Sequence, residues 1–241
     1  MIAARIGIVG RGNVATHLHN AISASLPEAE IELINPHELD INPDDFDILL
    51  ISVIDSAIEE VSARIPVSDT IIAHTSGSIG MEILERRHKN CGVFYPLQTF
   101  TKGVALNYTE IPFFIEGSSE AVTARLKQLA GHISEKVYDA GSDKRRRLHL
   151  ASVFACNFVN HLYARAWELL EDAGLPPEAL TPLIEETAAK TRRTDPRHGQ
   201  TGPASRGDFN VIEKHIAMLA DRPESQTEYR LLSQGILNRR K

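Results

Sequence analysis

The stretch from residue 6 to residue 15, IGIVGRGNVA, contains the pattern Gly10-x-Gly12-x-x-Ala15. A β-branched run precedes this pattern and a helical run follows it, which is the context of a dinucleotide-binding turn. In such a turn the first glycine allows the tight bend, the second lets the backbone approach a pyrophosphate, and the alanine lets helix and strand pack closely. The free amides of Asn13 and Val14 would hold the anion at the positive end of the helix dipole. The stretch therefore predicts a dinucleotide site, the alternative being a turn that only joins a strand to a helix.

Around this turn, from residue 5 to about residue 138, short β-branched runs alternate with helical runs. The predicted strands are Arg5–Val9, Ile31–Asn35, Asp47–Val53, Thr70–His74, Gly92–Tyr95, Ile111–Glu116 and Lys136–Tyr138. The predicted helices are Asn13–Leu26, Ser56–Ile65, Met81–His88 and Ser119–Ser134. This alternation is typical of crossover connections between parallel strands. The fold class is therefore α/β, with a doubly wound parallel sheet of the Rossmann type.

Beyond Gly141 the strand pattern stops and only helical patterns continue. The first is one long amphipathic run over 142–172, which ends at Gly174 and two prolines. The others are Glu178–Thr191, Asp208–Leu219 and Ser225–Asn238, with an irregular loop at 194–207. We therefore expect two domains, a Rossmann domain over 1–140 and an all-helical domain over 141–241.

Composition limits the partners and the compartment. The 241 residues carry 26 Lys and Arg against 32 Asp and Glu, and 42% of them are hydrophobic, which excludes a disordered chain. With a net charge of -6 there is no overall basic field for nucleic acid, so we expect a small-molecule substrate and no nucleic-acid partner. The basic run Lys144–Arg147 is interpreted as a helix start. Two distant cysteines, no signal-peptide pattern and no membrane-spanning stretch predict a cytoplasmic protein.

We expect no metal site. His17 and His19 are two residues apart on a predicted helix, so their side chains point to different faces and cannot share a metal ion.

The choice of dinucleotide depends on the end of the second predicted strand, which reads Asn35-Pro36-His37. An acid at this position binds the adenosine ribose 2′-hydroxyl, whereas a basic residue accepts a 2′-phosphate. Glu32 has the nominal spacing from the glycines but lies inside the strand. Because no acid ends the strand, with Asn35 there instead, the sequence favours NADP over NAD, and NAD remains the alternative.

Polar residues follow three further strands, where ligands of such sheets bind. Ser52 and Val53 end the third strand, Thr75 and Ser76 follow the fourth, and Gln98 lies in a proline-initiated loop after the fifth. We expect the first four to contact the nicotinamide end of the dinucleotide and Gln98 to be a catalytic candidate. The alternative for the turns after the third and fourth strands is a helix cap or an ordinary strand-to-helix turn.

The order of motifs resembles a known family. The glycine turn is followed by HTSGS at 74–78, PLQTF at 96–100, HLASVFACN at 149–157 and GPASRGD at 202–208. The sequence resembles uncharacterised Rossmann-like proteins assigned as NADP oxidoreductases of the deazaflavin-dependent type, which carry a C-terminal domain of unknown function. More distantly it is similar to pyrroline-5-carboxylate reductase, ketopantoate reductase and the 6-phosphogluconate dehydrogenase group. The resemblance implies a helical domain like the C-terminal one of 6-phosphogluconate dehydrogenase, a homodimer formed through it, and an active site in the cleft between the domains.

The long helix carries candidates for the chemistry. His149, Ser152, Cys156 and Asn160 are spaced so that one α-helical stripe holds all four, with Asn157 at its edge. Such groups suit a wet cleft, where His149 can give a proton to a reduced carbonyl or imine and Asn157 can orient the substrate oxygen. The alternative is that they bridge helices at a subunit interface. In the 6-phosphogluconate dehydrogenase group the corresponding helix start carries a lysine three residues before an asparagine, a pattern this sequence does not have.

Together these features predict an NADP-dependent oxidoreductase that transfers hydride between NADP and a small polar carbonyl or imine compound. One alternative is a sensor or scaffold protein that binds NADP without turnover, which the missing lysine pattern favours. Another is exchange of hydride between NADP and a deazaflavin. In the late loop, Arg206 is a candidate for binding a substrate carboxylate or phosphate, and Asp208 is expected to cap the next helix.

Overall fold

The computed structural model describes residues 5–239, and its N-terminal part is built on a seven-stranded sheet. The strands are β1 (Arg5–Val9), β2 (Glu30–Ile34), β3 (Ile48–Ile51), β4 (Ile71–His74), β5 (Cys91–Pro96), β6 (Phe113–Gly117) and β7 (Val137–Asp139). Their order across the sheet is β2-β1-β3-β4-β5-β6-β7. Each strand begins and ends within two residues of its predicted bounds, so the seven predicted strands are confirmed.

Strands β1 to β5 run parallel, whereas β6 runs antiparallel to β5 and β7 runs parallel to β6. The strand pattern alone did not indicate this reversal. Its cause is the connection from β5 to β6, which holds a loop and the short 3-10 turn Tyr108–Glu110 but no α-helix. Without a crossover element the chain does not return to the end of the sheet where β5 begins, so the next strand pairs in the antiparallel direction.

Helices cover both faces of the sheet, which confirms the doubly wound α/β class. They are α1 (Asn13–Ser25), α2 (Ile58–Arg64), α3 (Glu82–Glu85) and α4 (Glu120–Ile133). In the central strand β3, Ile48 and Leu50 are buried with α1 and α4, while Leu49 and Ile51 are buried with α2 and α3. A strand that is covered on both faces needs apolar residues at every position, which explains the unbroken Ile-Leu-Leu-Ile run.

The remaining helices are α5 (Ser142–Ser152), α6 (Phe158–Asp172), α7 (Thr181–Lys190), α8 (Pro203–Arg206), α9 (Phe209–Met218) and α10 (Pro223–Leu237). Asp208 caps α9, as predicted, because its side chain accepts a hydrogen bond from the Val211 amide. The predicted loop at 194–207 is partly helical, since Pro203 begins the short α8. None of the described helices is long and apolar enough to cross a bilayer.

The long predicted helix over 142–172 is interrupted by a π-helical turn, Val153–Asn157, between α5 and α6. A π turn takes up more residues than an α turn, so it rotates everything that follows relative to everything before. The α-helical spacing that placed Cys156 and Asn160 on the stripe of His149 therefore does not hold. Only Ser152, which precedes the π turn, keeps its predicted relation to His149.

The chain divides into two compact units between Asn157 and Phe158, at the end of the π turn. The sequence predicts the domain boundary at 140/141, whereas in the structure α5 and the π turn belong to the first unit. The second unit has a buried cluster of three apolar residues, Ala204, Ile212 and Ile216. Helices α6 and α7 contribute no buried residue.

Candidate functional site

The glycine turn has the backbone conformation that the pattern requires. Gly10 has φ +147°, and a Cβ atom there would lie 2.1 Å from the Ser52 carbonyl oxygen, so a side chain does not fit. The Gly10 amide donates to the Ile34 carbonyl at 3.0 Å, which ties the turn to β2. Gly12 is the N-cap of α1, with no side chain to satisfy the first amides of the helix. These amides are therefore open to an anion.

A cavity of about 810 Å³ lies at the carboxyl ends of the parallel strands, entirely within the first unit. Eleven of the residues that we singled out from the sequence line it, namely Gly10, Gly12, Asn13, Val14, Asn35, Ser52, Val53, Thr75, Ser76, Gln98 and His149. Thus one cavity gathers most of the predicted dinucleotide contacts together with the two catalytic candidates Gln98 and His149.

Three of the singled-out residues lie outside the cavity lining. Ala15 is fully buried beneath the turn, where its methyl group lies 3.5 Å from the position of a Gly10 Cβ atom, in keeping with a packing role. Asn157 is exposed at the end of the π turn and does not belong to the cavity lining. Arg206 is exposed at the end of α8 in the second unit.

The end of the cavity at β2 carries two cations that we did not predict, Arg11 and Arg64. Arg64 Nη1 donates to the Pro36 carbonyl at 2.7 Å and Nη2 to the His37 carbonyl at 3.3 Å. Arg11 is exposed in the glycine turn. Arg64 could not be found from the fingerprint spacing, because it reaches this end from the last turn of α2, 28 residues after Pro36.

A hydrogen-bonded turn follows β4 and forms another wall. The Ser76 amide donates to Nδ1 of the buried His74 at 3.2 Å, and Ser76 Oγ accepts from the Ile79 amide at 3.1 Å. Ser78 Oγ donates to the Asp55 carboxylate. Burial, followed by the charge of Arg145, lowers the pKa of His74 to about 4, so its ring is neutral near pH 7 and serves as a fixed acceptor. This turn is therefore rigidly held at the edge of the cavity.

The loop after β5 is tied to α1 on the other side of the cavity. Asn13 Nδ2 donates to the Phe100 carbonyl at 2.9 Å. The two ring nitrogens of His17 bond to Tyr108 Oη at 2.8 Å and to the Thr101 carbonyl at 2.9 Å. These contacts keep Gln98 beside the glycine turn. They also give His17 a structural role.

Within residues 5–239 there is no cluster of three His, Cys, Asp or Glu side chains that could hold a metal ion.

A tyrosine near the end of β5, Tyr95, meets His149 in the cavity. Tyr95 Oη lies 3.2 Å from His149 Nδ1. Tyr95 belongs to β5 and His149 to α5, so the sheet and the helix together position the pair. A strand-end tyrosine looks like a core residue in the sequence, and only its proximity to the histidine distinguishes it.

The residues present fit a dinucleotide with a 2′-phosphate. A Cβ atom at Gly12 would meet nothing within 4 Å, so the turn offers open space where a pyrophosphate would approach the α1 amides. Arg11 and Arg64 supply positive charge at the end where an adenosine ribose would lie. No carboxylate ends β2, whose last residue is Ile34.

Comparison with known proteins gives three findings. A family model described as a domain of unknown function, DUF2520, matches residues 111–236. A Bacteroides fragilis protein assigned as an NADP oxidoreductase is 39% identical, with 98% of each chain covered and a TM-score of 0.87. No curated protein matches the sequence significantly.

Two more distant structures share the fold. A Thermotoga maritima protein is 22% identical with a TM-score of 0.73, covering 98% of each chain. Pyrroline carboxylate reductase of Plasmodium falciparum, determined with NADP bound, is 10% identical with a TM-score of 0.63, covering 99% of this chain and 98% of that one.

Proposed function

The chain belongs to the DUF2520 family, and from this premise we propose that it is an NADP-dependent oxidoreductase acting on a small polar carbonyl or imine compound. The observation that carries the proposal is the single cavity that combines the open glycine turn with His149. The similar protein of Bacteroides fragilis bears an NADP oxidoreductase assignment, which supports the same class of reaction.

Each part of the cavity has a task in this proposal. The amides of α1 after Gly12 bind the pyrophosphate, and Arg11 with Arg64 bind the 2′-phosphate. Thr75 and Ser76 contact the nicotinamide end, whose reduced ring supplies hydride when NADPH is bound. His149 transfers the proton that accompanies hydride, and Gln98 offers an amide to a polar substrate.

The test is a fluorescence titration of the purified protein with NADPH and with NADH, followed by a screen of small oxo- and imino-acids for NADPH oxidation. We expect tighter binding of NADPH and turnover of at least one compound. If neither nucleotide bound, the proposal would be wrong. Tight binding with no turnover, unchanged by His149→Ala, would favour a sensor or scaffold, and turnover only with a deazaflavin would identify that third activity.

The substitution Arg11→Gln is expected to weaken NADPH binding by about tenfold, because a charge-assisted hydrogen bond contributes roughly 1.5 kcal/mol or more. NADH, which has no 2′-phosphate, should bind with nearly unchanged affinity. Arg11 makes no hydrogen bond or ion pair within the described part of the chain, so its loss leaves the fold intact. Arg147→Gln is the matched control, since Arg147 is exposed outside the cavity lining. Equal losses for NADPH and NADH would argue against the 2′-phosphate contact.

We also propose that two copies of the chain associate through the second unit. This unit has only a small buried cluster, yet it exposes large apolar side chains on several helices. They include Leu162, Trp167, Leu183, Phe209, Met218, Leu231 and Leu232. An isolated unit with so little core and so much exposed apolar surface is poorly stable, and a second copy would cover that surface.

Light scattering after size-exclusion chromatography should therefore give twice the chain mass of 26.7 kDa. Met218→Glu, at a side chain that is 77% exposed, should shift the protein toward the monomer because it places a charge in the apolar contact. Asn210→Glu on the same helix is the control that should remain dimeric. A wild-type mass of 26.7 kDa at every concentration would contradict the proposal.

A further inference from the structure

Tyr95 and His149 form a closely packed pair inside the cavity. The tyrosine is 9% exposed, its ring meets the imidazole edge-on at a centroid distance of 6.1 Å, and its hydroxyl oxygen lies 3.2 Å from Nδ1. Both side chains belong to the cavity lining. No hydrogen bond to His149 Nε2 occurs within residues 5–239, so this nitrogen is free to meet a ligand.

The turn after β4 packs directly on this pair. A Cβ atom at Gly77 would lie 2.6 Å from Tyr95 Cζ and 2.7 Å from His149 Nδ1. The absence of a side chain at Gly77 therefore lets the turn that carries Ser76 approach the two rings. The same turn lines the predicted nicotinamide end of the cavity.

The imidazolium form of His149 sets the direction of the bond between the two side chains. An imidazolium carries a proton on each nitrogen, so its Nδ1–H donates to the Tyr95 oxygen, 3.2 Å away. A phenolic oxygen accepts such a bond and keeps its own proton. When Nε2 gives up its proton, the neutral ring retains the proton on Nδ1, where it is hydrogen-bonded to Tyr95.

We propose that Tyr95 is a positioning residue that accepts the Nδ1–H bond of His149 and so makes Nε2 the atom that exchanges a proton with the substrate. The proposal rests on the proposed oxidoreductase function and adds a residue to it. A hydroxyl suits this task because it holds the ring in one orientation whether Nε2 is protonated or not.

In the direction of reduction, the substrate carbon gains hydride from NADPH, and its oxygen or nitrogen gains the Nε2 proton of the imidazolium. The products are an alcohol or amine, NADP⁺ and a neutral imidazole. This imidazole keeps its proton on Nδ1, where it is hydrogen-bonded to the Tyr95 oxygen. Solvent then returns a proton to Nε2. In the direction of oxidation, Nε2 accepts the proton instead.

Tyr95 itself stays neutral in this scheme. Burial raises the pKa of Tyr95, so it keeps its proton at neutral pH and acts through His149 rather than as an acid of its own. Two charged side chains act on the Tyr95 hydroxyl from nearby elements: Arg145, one turn earlier in α5, lowers its pKa, and Asp55, in the turn after β3, raises it.

The test is nitrogen-15 spectroscopy of the histidine rings in the full-length protein without nucleotide, at about pH 9, where imidazoles are neutral. The His149 signals, assigned by their loss in His149→Gln, should show a protonated Nδ1 and an unprotonated Nε2. In Tyr95→Phe the Nδ1 signal should move toward the unprotonated value, because the tautomer reverts to the mixture of a free ring. Tyr138→Phe is the matched control and should leave it unchanged.

With a substrate that the wild type turns over, Tyr95→Phe should lower kcat by about tenfold, a part of the 10²–10⁴ that a positioned proton donor contributes. The Kd for NADPH and the KM should stay within about twofold, since the phenyl ring preserves the packing. An unprotonated Nδ1 in the wild type, or a Tyr95→Phe variant with unchanged kcat, would overturn the inference. The spectroscopic arm needs no nucleotide, so a failure to bind NADPH would overturn the proposed function and leave the test of the pair intact.

Discussion

The substitution Arg145→Met is expected to lower the free energy of unfolding by about 3–5 kcal/mol, because it breaks a buried ion pair and leaves a carboxylate without its cationic partner. The Arg145 side chain is fully buried, and its guanidinium bonds the Glu116 carboxylate. Its Nη2 also donates to the Ile79 carbonyl at 2.6 Å. Thermal unfolding followed by circular dichroism should show a Tm lower by roughly 10 °C, as expected for a domain of this size.

Two further variants identify the cause of this loss. Glu116→Gln in the Arg145→Met background should recover part of the stability, because it removes the uncompensated charge. Arg147→Gln, two residues along the same helix, should change the free energy of unfolding by no more than about 0.5 kcal/mol, since Arg147 is exposed. If Arg145→Met and Arg147→Gln melted at the same temperature, the buried pair would contribute little to stability.

The sequence alone does not reveal that Arg145 is buried. In the sequence, Lys144–Arg147 is a uniform basic run at a helix start. In the structure, Arg145 is buried and Arg146 pairs with Glu82, so two of its four charges are engaged inside the first unit. Which charge of a run faces the core depends on how α5 packs against β6, and that packing brings together residues 29 positions apart.

More of the fold than of the site could be predicted from the sequence. Strand and helix positions follow from local apolar periodicity, which is why β1, β3 and α1 appear where expected. The reversal at β6 depends on a missing crossover helix, which is a weaker signal. The π turn Val153–Asn157 leaves no mark in the apolar pattern, so the predicted stripe on the long helix failed beyond it.

In the site, the residues found from sequence are those fixed by strand ends, such as Ser52 and Thr75, because parallel strands deliver their carboxyl ends to one edge. Arg64 and Tyr95 were missed for a common reason. Each reaches the cavity through a tertiary contact, to the Pro36 carbonyl in one case and to the His149 ring in the other. Local sequence patterns carry no information about such contacts.

The two glycines of the fingerprint should respond differently to the same substitution. Gly12→Ala is expected to weaken NADPH binding by about 100-fold or more, because the methyl group occupies the space through which the pyrophosphate approaches the backbone. The fold should be unaffected, since a Cβ atom there meets nothing within 4 Å and the φ of −76° suits alanine. The lower N-cap preference of alanine and its smaller unfolded-state entropy oppose each other, so the net change in stability should stay within about 1 kcal/mol.

Gly10→Ala should instead destabilise the protein itself. Its Cβ atom would lie 2.1 Å from the backbone oxygen of Ser52, which cannot move without disturbing β3, and its φ of +147° strains any side chain. We expect a loss of about 2 kcal/mol or more, seen as a lower Tm, together with weaker binding. Binding loss without a change in Tm is therefore the signature of Gly12 alone, and fluorescence titration and thermal melts of both variants separate the two roles. If Gly12→Ala bound NADPH as well as the wild type, the pyrophosphate would not lie on this turn, and the glycines would serve only to join β1 to α1.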